Sequence, residues 1–322
     1  MRLVERLHER GLQAKITWLP LRAEYAPWSV IVPQPPEWAN IVHVNTWLHP
    51  RFHPKNLPIV ATLHHSVHHP ELERYKGRLR AAYHNYWIKP VERSTLQRAE
   101  RVIAVSQFAA EAARETLLDI PMQVIHNGVD IDKVQAKRKQ AQQHPYRLLY
   151  VGNWASRKGV DLLAPILREL GNEFELLYTG NTAGSVKGNM RDIGRLTGSG
   201  AVAAVMQDAD ALLFPSRSEG FPLVVIEAMA NGLPVITTKD SSMPEAIEDG
   251  VSGILCPQDD VDAFVDACRR LAADPMLQQK MSDAARTKAK RVFSLDLMAD
   301  TYISIYQSCI DGHKSNQDGR ES

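Results

Sequence analysis

The sequence predicts an α/β protein of two doubly wound, Rossmann-like domains facing each other across a cleft. Three observations predict it. Short apolar runs alternate with stretches of helical periodicity along nearly the whole chain, the pattern of parallel sheets with helices on their faces. A polar stretch rich in Lys, Arg and Gln, residues 130–146, separates two such alternating halves. The length of 322 residues suits two domains, at roughly 100–200 residues each.

The elements follow in order. Leu3, Val4, Leu7 and Leu12 recur at helical spacing, and Gly11 is suited to end that helix. Lys15-Ile16-Thr17-Trp18-Leu19 reads as a strand. Ile41-Val42-His43-Val44 and Pro58-Ile59-Val60-Ala61-Thr62-Leu63 read as buried parallel strands. Residues 71–100 are polar and aromatic and mostly helical. Arg101-Val102-Ile103-Ala104-Val105 is a strand, and Ser106 can cap a helix over 107–118. Gln123-Val124-Ile125 closes a first domain of residues 1–135. The second domain, 136–292, restarts with Arg147-Leu148-Leu149-Tyr150-Val151-Gly152. It continues with strands at Phe174-Glu175-Leu176-Leu177-Tyr178-Thr179, Ala211-Leu212-Leu213-Phe214 and Pro234-Val235-Ile236-Thr237. A last helix covers 293–310, and the polar residues 312–322 are expected to be disordered.

Composition removes several classes of function. Hydrophobic residues make up 44% of the chain and charged residues 23%, enough to bury a core. A net charge of +1 weighs against a nucleic-acid binder. Cys256, Cys268 and Cys309 form neither a disulfide framework nor a metal-ligand spacing, which favours a reducing cytoplasm. No apolar run reaches the ~18 residues that span a bilayer, and the first residues carry no apolar signal core. Membrane contact, if any, is peripheral.

The sharpest chemical signal is Glu219-Gly220-Phe221-Pro222-Leu223-Val224-Val225-Ile226-Glu227. Phe214-Pro215-Ser216 ends a strand, Glu219-Gly220 is a turn, and Pro222 suits the first position of a helix that Gly232 ends. The helix start offers free N–H groups and partial positive charge, a ready phosphate site, and Gly220 leaves room for a ligand at the backbone. Glu227 falls five residues past Pro222, roughly 7–8 Å along the axis. A carboxylate on each side of a bound phosphate suits the vicinal diols of sugar and ribose. On spacing alone, Glu219 serves equally well as a helix-dipole partner and Glu227 as a solvated helix residue.

The run 214–234 resembles the signature of retaining family 4 glycosyltransferases of the GT-B fold: two glutamates eight positions apart, Gly-Phe between them, Glu-Ala-Met-Ala, then Gly-x-Pro-Val. The matching residues are Glu219, Gly220, Phe221, Glu227, Ala228, Met229, Ala230, Gly232, Pro234 and Val235. The resemblance implies that Glu219 meets the donor sugar and Glu227 the nucleotide ribose. Pro222, where the family often has Gly, lacks an N–H and moves phosphate contact to Leu223 and Val224.

Gly152-Asn153-Trp154-Ala155-Ser156-Arg157-Lys158-Gly159 is similar to the family's Gly-Arg-x-x-x-x-Lys-Gly segment, in which Arg and Lys clamp the donor diphosphate. A cation there stabilises charge developing on the leaving nucleotide and takes the place of a divalent metal. Lys158 matches. The family's Arg falls on uncharged Asn153, and Arg157 is a nearby substitute whose direction the sequence leaves open; both basic residues also suit a solvated helix start. Thr179-Gly180, at a strand end, is expected to line the nucleotide pocket.

Of the twelve histidines, eight lie between positions 43 and 84. Ala61-Thr62-Leu63-His64 resembles the strand end that carries an active-site histidine in related transferases, which implies that His64 positions sugar hydroxyls. His43 reads as structural. His64/His68 and His65/His69 have the spacing of metal ligands on a helix, but Pro70 and the preceding strand argue for a loop, so no metal is expected.

Two weaker signals remain. Gly198-Ser199-Gly200-Ala201-Val202-Ala203 fits a dinucleotide fingerprint, but Met190-Arg191-Asp192-Ile193-Gly194-Arg195 reads as a poor preceding strand. Residues 71–100 hold seven basic and four acidic side chains with Tyr75, Tyr83, Tyr86 and Trp87 interleaved, suiting a solvated helical face or a membrane surface.

The resemblance therefore implies a cytoplasmic or peripheral inner-membrane enzyme of cell-surface polysaccharide or lipopolysaccharide synthesis. It would move a sugar, with retention and without metal or cofactor, from a nucleotide-diphosphate sugar to a glycan or lipid-linked acceptor. Its reacting centre would lie between His64 and Glu219, with Lys158 on the leaving diphosphate. The leaving oxygen takes the acceptor proton, so no side chain is assigned as base. The family's first strand and Gly-rich turn do not precede Arg2. That departure, with Asn153, keeps open a non-catalytic nucleotide-sugar or glycan-binding protein and a nucleotide-sugar epimerase.

Overall fold

The computed structural model describes residues 2–131 and 145–321, so the boundary expected near residue 135 and most of the predicted linker lie outside the described residues. The chain forms two compact units, Met1–His126 with Leu295–Ser322, and Asn127–Ser294.

The first unit is built on a parallel sheet of β1 (Val42–Asn45), β2 (Ile59–Leu63), β3 (Arg101–Ala104) and β4 (Gln123–Val124), in that order. Val42 lies opposite Ile59, and Val60 opposite Arg101. All five residues of β2 are buried, as an unbroken apolar run in the middle of a covered sheet requires. Alternation divides them. Val60 and Ile103 pack against Tyr302, Ile305 and Cys309 of the last helix, Leu295–Glu321, whereas Ile59 and Ala61 pack with Val44 and Leu48. The first helix, Arg2–Glu9, is followed by Gly11 in the left-handed region at φ 74°. Arg10 then ties the chain's start to its last helix through Asp296 at 2.9 Å and Asp300 at 2.6 Å.

Two expectations for this unit change. Residues 15–19 form no strand, and Trp18 stands exposed. Their pattern suits an edge strand, but the sheet ends at β1 and gives their backbone no ladder to join. Residues 312–321, expected to be disordered, continue the last helix. A lone Gly312 costs a helix only about 1 kcal/mol, and Ser315 Oγ donates across it to the Asp311 carbonyl at 3.1 Å.

The second unit holds β5 (Tyr146–Tyr150), β6 (Phe174–Tyr178), β7 (Val186–Lys187), β8 (Met190–Asp192), β9 (Ala211–Phe214), β10 (Val235–Thr238) and β11 (Gly253–Cys256). Their spatial order is β11-β10-β9-β5-β6-β8-β7, parallel except for β7. The chain winds from β5 through β6 to β8, then returns to the other side of β5 for β9, β10 and β11. The switch point therefore lies between β5 and β9. In such sheets ligands bind outside the carboxyl ends of the strands at that point.

Residues 190–195 correct the reading of a poor strand. Met190 and Asp192 turn inward and Arg191 outward, and the segment pairs in parallel with β6. Two of its three side chains are polar or charged, which concealed it. The fingerprint at 198–203 thus does follow a strand and open the helix Ser199–Asp208. That arrangement belongs to any βα unit of this sheet and carries no cofactor signal of its own.

Candidate functional site

Three loops leave the carboxyl ends of β5, β6 and β9. After β5, the turn Ser156–Lys158 leads to Gly159, which stands in the left-handed region at φ 68° and opens the helix Val160–Leu170. Gly159 is required for a second reason. A Cβ there would meet the Pro215 carbonyl oxygen at 1.9 Å, so the β5 and β9 loops touch backbone to backbone. After β9, residues 215–222 lead to the helix Leu223–Ala230. Pro222 is its N-cap, with φ −77° and ψ 121°, and no side chain caps it. Val225 N turns back to the Pro222 carbonyl at 3.2 Å, whereas no side-chain cap takes up the N–H groups of Leu223 and Val224. Gly232, at φ 67°, ends this helix as expected.

Glu219 lies ahead of that helix start, buried, and its Oε1 is the meeting point of the two loops. Lys158 Nζ donates to it, Ser216 Oγ donates at 2.5 Å, and Arg157 Nη1 stands 3.8 Å away. Arg157 also donates to the Ser218 carbonyl. The ammonium of Lys158 rests 5.5 Å from the centre of the Phe214 ring. Two cations and a hydroxyl thus converge on one carboxylate oxygen at an uncapped helix start. Glu227 follows on the same helix, half-buried.

Arg217 braces this arrangement, and the sequence reading missed it. Its guanidinium grips both oxygens of Asp161 at 2.7 Å, donates to Asp259 Oδ1 at 2.5 Å, and donates to the Ser156 carbonyl. The bidentate bond to Asp161 raises its pKa above the usual guanidinium value, and the same bond holds the Asp161 carboxyl below its usual range.

Asn153 is exposed and points no charge at the site. Its carbonyl accepts from Tyr150 Oη at 3.0 Å. Thr179, after β6, exchanges bonds with Gly152, donating to its carbonyl at 3.1 Å and accepting from its N–H at 3.0 Å. A Cβ on Gly180 would meet Asp192 Oδ2 at 2.2 Å. Burial pushes that carboxyl up, but hydrogen bonds from Gly194, Thr182 and Gly180 more than offset it and hold the pKa below the ordinary value.

Two matches to known families span this architecture. Residues 145–274 match the family described as glycosyl transferases group 1, and residues 2–133 match glycosyltransferase family 4. The chain belongs to the family 4 glycosyltransferases. It is 27% identical over 303 residues to a glycogen synthase of Mycobacterium tuberculosis, covering 86% of this chain and 71% of that one. Among solved structures it resembles the sucrose-phosphate synthase of Thermosynechococcus elongatus with a TM-score of 0.74 and 21% identity, over 85% of this chain and 74% of that one. It also resembles Anabaena HepE, solved with UDP and glucose, with a TM-score of 0.66 and 18% identity, over 78% and 72% of the two chains. These likenesses show the GT-B fold.

In this glycosyltransferase the sequence-predicted residues fall into two groups. Arg157, Lys158, Glu219 and the start of the Leu223–Ala230 helix come together at the switch point, with Asn153, Thr179 and Gly180 on the adjoining loops. Phe221 belongs to the core instead. Its ring packs on Phe293 at 5.3 Å, and its carbonyl accepts from Asn127 Nδ2 at 2.8 Å. His64 lies in the first unit, exposed at the carboxyl end of β2, where desolvation by the surrounding protein holds its pKa below the ordinary imidazole value. Residues 64–69 form a loop, so His64/His68 and His65/His69 share no helix face. His43 has both ring nitrogens engaged, with Tyr306 Oη and Thr62 Oγ1, each at 2.6 Å.

Proposed function

We propose that this glycosyltransferase moves a sugar, with retention of anomeric configuration, from a nucleotide-diphosphate sugar to a glycan or lipid-linked acceptor. The observation that carries the reading is the convergence of Lys158, Arg157 and Ser216 on Glu219 beside a helix start whose N–H groups are uncapped. A diphosphate at that helix start finds two cations and two N–H donors. Together they stabilise the charge that grows as the nucleotide leaves, without requiring a divalent ion. Displaced from Lys158, the Glu219 carboxylate accepts from hydroxyls of the donor sugar, and Glu227 from those of the ribose. HepE, with the same fold, binds UDP and glucose, which supports a nucleotide sugar as donor.

The acceptor hydroxyl oxygen bonds to the anomeric carbon while the bond from that carbon to the diphosphate oxygen breaks on the same face. The hydroxyl proton passes to the departing oxygen, so no side chain acts as general base. His64 serves the sugar hydroxyls as a neutral imidazole, consistent with its lowered pKa. The likeness to a glycogen synthase supports a place in polysaccharide synthesis. We assign that place to cell-surface polysaccharide or lipopolysaccharide assembly at the cytoplasmic face of a membrane.

Nucleotide release from UDP-, GDP- and ADP-sugars, measured with and without acceptor lipid, tests the reading. Acceptor-dependent release of one nucleotide supports it. Donor binding with no release under any condition would establish a binding protein, and donor conversion without acceptor an epimerase.

A further inference from the structure

Large apolar side chains on the first unit are exposed in an unusual concentration. Trp18, Leu21, Trp28, Ile31, Leu79 and Tyr86 range from 68% exposed at Trp28 to 91% at Ile31. Single exposed apolar residues are ordinary; six on two adjoining segments are a surface asking for cover. The two segments that carry them are tied together. Tyr83 Oη donates to Glu24 Oε1 at 3.0 Å, Trp87 Nε1 donates to the Glu24 carbonyl at 2.7 Å, and Trp28 meets Trp87 edge-on at 6.4 Å. Residues 24–28 therefore lie against residues 83–87, which sets the exposed side chains of both segments in one region of the first unit.

Its charge is mainly positive. From Arg74 to Val91 the chain has five basic residues and no acidic one, and Arg78 and Arg80 are exposed. Arg22 adds a further exposed cation, while Glu24, the sole acid between positions 12 and 36, is turned toward Tyr83. Exposed Trp and Tyr rings with flanking arginines match the layered chemistry of a bilayer interface. Rings enter the boundary of headgroup and acyl chain while guanidinium groups stay with lipid phosphates.

We propose that this face docks the protein on the interface of a bilayer that contains anionic lipids. A lipid-linked acceptor gives such docking a purpose, and to that extent the inference rests on the proposed function.

Co-sedimentation of the full chain with phosphatidylcholine vesicles, with and without phosphatidylglycerol, tests it. Binding should be confined to the anionic vesicles and weaken as salt rises. The variant Ile31→Ser/Leu79→Ser/Tyr86→Ser, all at solvent-facing positions, should lose at least about tenfold in binding. Arg78→Glu/Arg80→Glu should lose at least about fivefold per residue. Circular dichroism of both variants should match the parent. Absence of binding to anionic vesicles, or binding indifferent to both variants, would overturn the proposal. So would a dimer in sedimentation that the Ser variant dissociates, which would assign the face to a second copy. Nucleotide release with a soluble acceptor analogue should be unchanged in both variants. A protein that binds vesicles but releases no nucleotide would sink the transfer reading while leaving this one intact.

Discussion

Glu219 Oε1 carries an unusual load for one oxygen, with Lys158, Ser216 and the nearby Arg157 all directed at it. On the proposed reading, the ion pair keeps the cations in place before the donor arrives and opens when it binds. On the same reading, Arg157 supplies from position 157 the charge that the family resemblance expects at 153. Arg157→Ala should therefore lower donor turnover by about 10- to 100-fold, a share of what one lost charge-stabilising donor costs, whereas Asn153→Ala should change it by less than about twofold. Steady-state kinetics on the two variants decides this. The motif spacing made Lys158 and Glu219 legible in the sequence. The direction of Arg157 depends on the approach of a loop 61 residues away and was not.

His84, buried and edge-on to Trp47, has its pKa lowered to about 4, chiefly by desolvation and then by Lys76 and Arg80. It is neutral in the folded chain at neutral pH. Between the unfolded value near 6.5 and about 4, the unfolded chain takes up this proton and the folded chain does not. Stability is therefore full above pH 6.5 and falls as pH drops toward 4, by up to about 3 kcal/mol from this residue. Denaturant titrations across that window should show a shallower pH dependence for His84→Phe than for the parent, and equal slopes would contradict it.

At the scale of elements, the loops after β5 and β9 are held by backbone proximity at Gly159 and by Arg217. Gly159→Ala places a Cβ against the Pro215 carbonyl in a left-handed conformation. It should cost about 2 kcal/mol or more and also weaken donor binding, because the same movement separates Lys158 from Glu219. Arg217→Met leaves Asp161 and Asp259 unpaired but half-exposed, so about 2 kcal/mol is expected, less than a fully buried pair would lose. Thermal melts with and without donor measure both. The main strands were readable because continuous apolar runs in covered parallel sheets are hard to mistake, as at 59–63 and 211–214. The element at 190–192 was not, since three residues alternating inward and outward carry almost no pattern. Residues 15–19 had a strand's pattern but no neighbour to pair with. The brace of Arg217 was illegible because its partners lie 56 and 42 positions away.

At the scale of the molecule, the order β11-β10-β9-β5-β6-β8-β7 explains why two motifs about 60 residues apart meet in one place. Neighbouring strands on opposite sides of the switch point bring their following loops together. The donor should accordingly stabilise the second unit by mass action, about 2.7 kcal/mol at a hundredfold excess over its dissociation constant. For a unit of this size that is a rise of roughly 5–10 °C. Only one nucleotide class among UDP-, GDP- and ADP-sugars should give it.

The central claim is that Lys158 and Glu219, joined across the switch point, serve the departing nucleotide and the donor sugar. The most direct test is acceptor-dependent nucleotide release by Lys158→Ala, with donor affinity measured alongside. We expect turnover to fall by about 100- to 1,000-fold while donor affinity falls by no more than about tenfold. Turnover within about threefold of the parent would contradict a role for Lys158 in stabilising the leaving group.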